Sequence, residues 1–358
     1  MTAPVRGVMA GDGRYSASSA TQHTAAAAGL ALIDAAVDDA AVAAQGPPLL
    51  LADFGAATGT NSLEPIGAAL RALRRRAPSR PVYVVHADIV GNDFTTLATV
   101  LETSPQRYAA DDPHVLPLMA ARSLYDPVLP ADQLAFGWTA STLHWLSRAP
   151  GDVRGHFFVQ LSDDAAARGR YAERSAADWR AFLDGRAAEL APGASVVAVD
   201  VLMGDDGLMG SEALFDRLAD ALRGAHADGA LTPEELDRIV YPTWFRTLAE
   251  LRAPFAPEYR AAGGQRLALV HVEPVIEPDP FADLLDDPPA YAEAQVGFLR
   301  GFLEPSFTAA LDPERGDAGR GAALERVWTR ARDLVAADPR AVSPAYRLVA
   351  LRVRRLPD

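Results

Sequence analysis

The sequence predicts an α/β protein whose core is a mostly parallel, doubly wound sheet. Short apolar runs that end in glycine or aspartate alternate with helical stretches along the first part of the chain, a pattern typical of βαβ units. Two further strand-like runs lie much later, at 265–275 and 344–356. The segments at 211–252 and 290–337 have mainly helical character, and they predict a helical cap inserted into the α/β core.

The predicted elements follow one another in a regular order. Residues 19–45 are rich in alanine, have apolar residues at helical spacing and end at QGPP, so they predict a helix. Each early strand is a continuous apolar run, as expected for a strand that is buried on both faces. The strands are predicted at 48–55, 81–88, 133–138 and 194–202, and the helices between them at 62–76, 92–102 and 175–190.

The composition excludes several kinds of chemistry. The chain has no cysteine, which rules out disulfides, thiolate metal sites and a cysteine nucleophile. All 34 basic residues are arginine, so Schiff-base chemistry and a P-loop are also ruled out. The formal net charge of −13 argues against nucleic acid as a partner. No apolar run approaches the roughly 18 residues of a membrane span and the N-terminus lacks an apolar signal core, so we expect a cytoplasmic protein.

The strongest site motif is LLLADFGAATGTNSL, in which a buried strand delivers Asp53 into a glycine turn. Gly55 and Gly59 let the chain turn sharply and let a ligand approach the backbone. A dinucleotide fingerprint would need further glycines at positions 57 and 60, where this chain has alanine and threonine. The pattern D-x-G-x-x-x-G is instead similar to the first motif of methyltransferases that use S-adenosylmethionine (SAM).

A second motif, VVHADIVGNDF, places Asp88 at the end of the second predicted strand. In doubly wound sheets a carboxylate at this position binds a ribose, because it accepts hydrogen bonds from both vicinal hydroxyls. The simpler alternative is a surface carboxylate that caps the next helix. We favour the ribose site because Asp88 and the glycine turn follow consecutive strands.

Together these segments resemble the SABATH family of SAM-dependent carboxyl methyltransferases, which includes salicylate, benzoate, jasmonate and indole-acetate methyltransferases and plant xanthine N-methyltransferases. The resemblance extends over nearly the whole chain. It is carried by MAGDGRYSASSATQ, ADFGAATGTNSL, ADIVGNDF, MAARSLYDPVLP, STLHWLSRAP, DWRAFLDGRAAELAPG, YPTWFRTLAELRAPF and RGFLEPSF.

The resemblance implies a Rossmann-like core with a mostly parallel, seven-stranded sheet, an inserted α-helical cap and a homodimer. On the sequence pattern, residues 1–205 form the SAM-binding core, which about 260–280 and 338–358 complete. Residues 206–259 and 281–337 then form the mainly helical cap and substrate region.

The resemblance also implies a cofactor site for SAM. Asp53, Gly55 and Asn61 would surround the methionine portion, and Asp88 and Ile89 would hold the ribose and flank the adenine. The other cofactor residues that it implies are Tyr15 and Ser19, which would close over the cofactor, and Ser123 and Leu124, which would contact the adenine.

For the substrate, the resemblance implies that Gln22 and the Trp145 indole N–H donate hydrogen bonds to a carboxylate. His144 belongs to the same neighbourhood, although a lone histidine beside a buried strand can equally be a satisfied core residue. Ala140 stands where the family often has a tyrosine, which would widen the acyl pocket. Further candidate wall residues are Trp138, Tyr125, Trp244 and Phe94.

The sequence thus predicts a SAM-dependent O-methyltransferase that converts a small hydrophobic carboxylic acid to its methyl ester. A carboxylate is ionised at neutral pH, so this transfer needs no general base. The sequence contains no His-x-x-x-His pair, the spacing that would indicate a metal site on a helix. Three alternatives remain open: N-methylation of a heterocycle within the same family, a nicotinamide-dependent oxidoreductase, and a SAM-binding protein without activity whose interaction surface is the acidic loop at 276–290.

Overall fold

The computed structural model describes residues 20–39, 42–110 and 112–357, and within the first of these ranges it describes the side chains of residues 28–38. The strands of this part of the chain are β1 (Leu49–Phe54), β2 (Val82–Asp88), β3 (Val115–Ala121), β4 (Leu134–Ala140), β5 (Leu190–Val201), β6 (Tyr259–Arg260), β7 (Arg266–Pro278) and β8 (Ala345–Arg355). They form one sheet in the order β3-β2-β1-β4-β5-β8-β7-β6. The first five strands of this order are parallel, and β8, β7 and β6 are each antiparallel to the strand before them.

The mostly parallel α/β fold is confirmed, but the expected count of seven strands is wrong, because the described residues form a sheet of eight strands. The sequence pattern predicts neither β3 nor β6. The two residues of β6 are too few to show any periodicity. In β3 the apolar run is interrupted by Pro117, and Leu116 and Leu118 are exposed. Proline is tolerated there because β3 is an edge strand of the sheet.

The helices of the described chain are α1 (Ala20–Asp39), α2 (Leu63–Arg74), α3 (Phe94–Thr103), α4 (Ala165–Glu189), α5 (Glu212–Ala227), α6 (Pro233–Arg238), α7 (Leu248–Arg252), α8 (Pro288–Ala310), α9 (Gly316–Ala337) and α10 (Pro339–Val342). Aspartates begin two of the helices that frame the sheet. Asp93 accepts a hydrogen bond from the Thr96 N–H at 2.9 Å, and Asp164 accepts one from the Ala167 N–H at 2.9 Å. Each side chain thereby satisfies an N–H that has no partner within its helix.

Apolar clusters cover both faces of the sheet, and a third cluster joins α5, α8 and α9. α1 comes very close to the sheet at Gly29, where a Cβ would lie 2.6 Å from the Trp138 indole. In the helical cluster, the rings of Phe307 and Trp328 stack with their centroids 5.8 Å apart. Among the described residues, no helix has both the length and the apolar character needed to cross a membrane.

The acidic segment at 276–290 is only partly on the surface. Asp279 is 7% exposed and accepts hydrogen bonds from Tyr291, Gln295 and Ser343 at 2.6–2.8 Å. These donors come from α8 and from the residue after α10, so the carboxylate joins helices to the end of β7. Asp279 therefore anchors the segment to the helices, while Ile276 and Asp286 are largely exposed, as expected for a surface loop.

Candidate active site

The central cavity opens at the carboxyl ends of β1, β2 and β4. β1 lies next to β4 in the middle of the parallel strands. The chain leaving β1 leads to β2 on one side, and the chain leaving β4 leads to β5 on the other side. Ligands of open α/β sheets bind in the crevice that such a switch creates. The lining includes Asp53 from β1, Asp88 from β2 and Ala140 from β4.

The glycine turn after β1 forms one wall of the cavity. Gly55 has φ 88°, and a Cβ at this position would lie 2.3 Å from Thr142 Oγ1. Only glycine therefore allows the turn and the loop after β4 to lie so close together. Ala57 and Ser141, which also line the cavity, have positive φ angles of 46° and 52°. Such angles in residues other than glycine are strained and cluster at functional sites.

The Asp53 carboxylate is held from one side. Its Oδ2 accepts a hydrogen bond from the Ser62 hydroxyl and lies 3.4 Å from His86 Nδ1. Among the described residues, no group donates a hydrogen bond to Oδ1. Because Asp53 lines the cavity, Oδ1 is the carboxylate oxygen that remains for a ligand.

Asp88 holds the glycine turn and the start of the next loop together. Its Oδ2 accepts from the Ala57 N–H and its Oδ1 from the Ile89 N–H, both at 2.7 Å. Burial raises the pKa of Asp88 to about 6, partly opposed by these two backbone donors. The carboxyl group is thus ionised at neutral pH and changes its charge just below it.

The loop STLHWLS forms the opposite wall, and its backbone is fixed by side chains from elsewhere. The Tyr125 hydroxyl lies 3.0 Å from the Leu143 carbonyl oxygen and 2.6 Å from that of Trp145. Arg246, which is 4% exposed, donates to the same Leu143 oxygen at 2.6 Å. Burial raises the pKa of the Tyr125 phenol, so the phenol remains a donor.

The loop directs Trp145 to the cavity and His144 to the protein interior. Trp145 lines the cavity, and its indole packs edge-on against the Tyr241 ring with the ring centroids 5.0 Å apart. Among the described residues, no group accepts a hydrogen bond from the Trp145 indole N–H. His144 is 5% exposed, with Nδ1 2.6 Å from Asp200 Oδ1 and Nε2 3.2 Å from the Tyr241 hydroxyl. Both ring nitrogens of His144 are therefore engaged inside the protein.

The structure brings most of the predicted site residues with described side chains to one cavity. The residues that line it are Asp53, Gly55, Asn61, Asp88, Ile89, Ser123, Leu124, Tyr125, Trp138, Ala140 and Trp145. His144 lies behind the wall, and Phe94 packs in a neighbouring apolar cluster. Trp244 donates its indole N–H to Glu250 at 3.0 Å and packs away from the cavity.

Three predicted residues cannot be placed in this way. Tyr15 and Ser19 lie outside the described residues. Gln22 lies in α1, but its side chain is outside the described part of the chain. Their roles stay predictions.

Several site residues were not predicted from the sequence. Ser62 and Asn92 stand within the two motifs and line the cavity, so the motifs themselves contained that signal. The Asn92 amide donates to the Ala57 carbonyl oxygen at 2.8 Å and supports the strained turn. Asp200 and Tyr241 lie 56 and 97 residues from His144, and no local pattern connects them with it.

The chain is similar in sequence to known methyltransferases. A family model described as SAM dependent carboxyl methyltransferase matches residues 6–259. Methyltransferase LUC1 from a Fusarium species is 30% identical over 248 residues, which cover 68% of this chain and 65% of that protein, slightly less than two thirds of its length. O-methyltransferase acrG from Aspergillus aculeatus is 30% identical over 304 residues, covering 81% of this chain and 76% of that protein.

The solved structures include one that shares the overall fold. A loganic acid methyltransferase with SAH superimposes with a TM-score of 0.77 at 18% identity, over 98% of this chain and 99% of that one. The resemblance predicted from the motifs is confirmed by the family match, which decides against a nicotinamide-dependent oxidoreductase. The chain belongs to the family of SAM-dependent carboxyl methyltransferases, and SAM is its cofactor.

Proposed function

We propose that this chain transfers a methyl group from SAM to the carboxylate of a small hydrophobic acid and releases the methyl ester. The observation that carries the proposal is that Trp145, whose indole N–H has no acceptor among the described residues, lines a cavity whose described lining contains no histidine or arginine. A carboxylate accepts a hydrogen bond from such a donor. It is also ionised at neutral pH, so it attacks without a general base.

The described residues suit SAM at the end of the cavity formed by the glycine turn. When bound, SAM supplies an electrophilic methyl group on a positively charged sulfur. Asp53 Oδ1 offers an acceptor for an ammonium group, and Gly55 lines the same cavity. Each Asp88 oxygen accepts one backbone hydrogen bond and has a second lone pair for a ribose hydroxyl. Ser123 and Leu124 are proposed to contact the adenine.

The protein's contribution to the transfer is orientation of the acceptor and exclusion of water. Trp145 would donate to one carboxylate oxygen, and Gln22 is proposed as the second donor. The apolar rings of Trp138 and Tyr125 line the cavity and would keep water from the acceptor, which favours a step in which opposite charges are neutralised. Correct placement of the two reacting atoms alone contributes several kcal/mol.

The described lining of the cavity contains no histidine, which favours a carboxylate over an acceptor that must lose a proton. Among the described residues, both nitrogens of His144 are engaged by Asp200 and Tyr241. The Tyr125 phenol donates to backbone carbonyls. A heterocyclic N–H or a phenol would need such a base, whereas a carboxylate does not.

The names of the relatives include both kinds of acceptor atom. One of the two curated relatives above is an O-methyltransferase by name, whereas a relative from Camellia sinensis is a 3,7-dimethylxanthine N-methyltransferase. Ala140 is proposed to leave room for the acyl part of the acid, and Tyr15 and Ser19 are proposed to cover the cofactor.

The organisation of the whole protein is part of the proposal. We propose that 1–205, completed by about 260–280 and 338–358, forms the SAM-binding core, and that 206–259 and 281–337 form a cap. The apolar cluster that joins α5, α8 and α9 supports this division. A homodimer located in the cytoplasm, with no nucleic acid or membrane partner, is proposed on the resemblance and the acidic charge.

The experiment is a transfer assay with methyl-labelled SAM and a panel of aromatic, indolic, fatty and terpenoid acids, with xanthines and phenols as further acceptors. We expect label in a product that mild alkali cleaves to methanol, since a methyl ester hydrolyses and an N-methyl group does not. Mass spectrometry of that product then identifies the acid.

Trp145→Phe tests the assignment of the donor, and Trp244→Phe is the matched control. Loss of a hydrogen bond to a charged group costs about 1.5–3 kcal/mol, so Trp145→Phe should raise the acceptor KM about 10- to 100-fold. SAM binding should stay unchanged, and Trp244→Phe should leave both quantities unchanged. An alkali-stable product, or an unchanged acceptor KM in Trp145→Phe, would overturn the proposal; the first result would indicate methylation of a nitrogen or of a phenol oxygen instead.

A further inference from the structure

A buried hydrogen-bonded chain extends from the cavity into the protein behind Asp53. Asp53 and His86 are register partners on β1 and β2, so their side chains lie on the same face of the sheet. His86 is fully buried, with Nδ1 3.4 Å from Asp53 Oδ2 and Nε2 2.8 Å from the Tyr108 hydroxyl. Tyr108 comes from the loop after α3, and its ring also stacks on the His86 ring, with the ring centroids 6.0 Å apart.

The hydrogen-bond partners of His86 select one of its two tautomers. Burial and the nearby Asp53 charge raise the pKa of the Tyr108 phenol, so its hydroxyl keeps its proton and can donate. If Tyr108 donates to Nε2, the imidazole proton lies on Nδ1 and points to the Asp53 carboxylate. The opposite tautomer would place the Nδ1 lone pair against a carboxylate oxygen, which is unfavourable for a fully buried pair.

These hydrogen bonds all reach Asp53 at Oδ2, which leaves Oδ1 for a ligand. Ser62 and His86 both engage Oδ2. Two donors on one oxygen fix the rotation of the carboxyl plane. Oδ1, to which no described group donates, is then the oxygen that meets a ligand in the cavity.

We propose that His86, held in a single tautomer by Tyr108, is a positioning residue that orients Asp53 to receive the α-amino group of the methyl donor. This inference rests on the part of the proposed function that places the methionine end of SAM at Asp53, and it does not depend on which acceptor is methylated. The ammonium is a cation that also remains in the demethylated product, SAH. The hydrogen bonds from Tyr108 through His86 to Asp53 should therefore affect the binding of SAM and of SAH alike.

The test measures ligand binding by calorimetry, without any acceptor. The probes are SAH, which has the amino-acid end, and 5′-methylthioadenosine, which lacks it. The variants are His86→Leu, which removes both ring donors, and Tyr108→Phe, which removes only the hydroxyl that selects the tautomer. His86→Asn is the conservative variant, because its amide can place an N–H where His86 Nδ1 lies.

For His86→Leu and Tyr108→Phe we expect the Kd of SAH to rise about tenfold, as for a lost hydrogen bond to a charged group. The Kd of 5′-methylthioadenosine should stay within about twofold of the wild-type value, and His86→Asn should restore most of the SAH affinity.

Equal weakening of both ligands would show general loosening of the fold and overturn the inference, as would unchanged SAH affinity in Tyr108→Phe. If His86→Leu does not fold, Tyr108→Phe with its two probes decides alone. Failure of the cofactor placement is distinguishable, because wild-type protein would then bind SAH no better than 5′-methylthioadenosine. Failure of the carboxylate proposal leaves every one of these binding constants unaffected.

Discussion

His144 Nδ1 lies 2.6 Å from Asp200 Oδ1, in a site where both side chains are about 5% exposed. The pair lies directly behind Trp145, whose indole packs on the ring of Tyr241, and Tyr241 is the partner of His144 Nε2. Asp200 and Tyr241 therefore support the wall of the cavity through His144. The histidine acts in the structure as a buried link between β5 and the cavity wall.

We expect Asp200→Ala to lower the free energy of unfolding by about 2 kcal/mol, because the buried His144 N–H loses its acceptor. Asp200→Asn keeps an acceptor oxygen of the same shape and should cost about 1 kcal/mol or less. Urea unfolding of both variants measures the difference. Equal losses in the two variants would show that the hydrogen bond to His144 contributes nothing beyond packing.

Gly55→Ala should destabilise the protein and abolish SAH binding, because its Cβ would collide with Thr142 Oγ1 at 2.3 Å. Gly155→Ala is the matched control: Gly155 has a similar φ of 81°, but no atom lies within 4 Å of the added Cβ. The control should cost about 1 kcal/mol of backbone strain, and Gly55→Ala about 3 kcal/mol or more. Thermal unfolding and calorimetry measure both variants.

Adding Thr142→Ala to Gly55→Ala should restore part of the lost stability, since the two nearest atoms of the clash belong to the Thr142 side chain beyond Cβ. Without such recovery, the close approach of the two loops would not be the reason for glycine at this position.

SAH binding should weaken as the pH falls through the pKa of Asp88, which burial raises to about 6. The ionised carboxylate accepts from both ribose hydroxyls, and the protonated form loses an acceptor. If only the ionised form binds, the Kd should rise about fourfold between about pH 7.5 and about pH 5.5. Calorimetry at several pH values gives this profile.

Asp88→Asn is the control for that profile. It should bind SAH more weakly at neutral pH and lose this pH dependence, because its amide does not titrate. A variant profile as steep as that of the wild type would assign the titration to another group.

Local sequence was enough to predict the elements that carry the cofactor site. β1, β2 and β4 are continuous apolar runs, and Asp53, Gly55 and Asp88 stand where those runs end. Since the carboxyl ends of parallel strands meet at one edge of the sheet, their convergence follows from the pattern. β3 and β6 were not predictable in this way, because an edge strand with Pro117 and a strand of two residues carry no clear apolar signal.

The partners across the fold could not be predicted. The sequence predicted Trp145 as a donor to the substrate and Trp244 as a further wall residue. Trp145 lines the cavity, whereas Trp244 does not and donates its indole N–H to Glu250. Tyr108, which completes the chain behind Asp53, comes from a loop 22 residues beyond His86. Such pairings depend on how loops pack over long distances in the chain.

By itself, the sequence determined an α/β sheet, the glycine turn, the two acidic strand ends and membership of the SAM-dependent carboxyl methyltransferase family. Those features depend on apolar periodicity and on residues that stand next to one another. The tertiary structure decided that Trp145 faces the cavity while its neighbour His144 faces inward. That choice depends on Asp200, Tyr241 and Tyr125, which lie between 18 and 97 residues from the side chains and carbonyl groups that they bind. Hydrogen-bond partners of buried polar groups are selected by three-dimensional packing, and local sequence does not specify them.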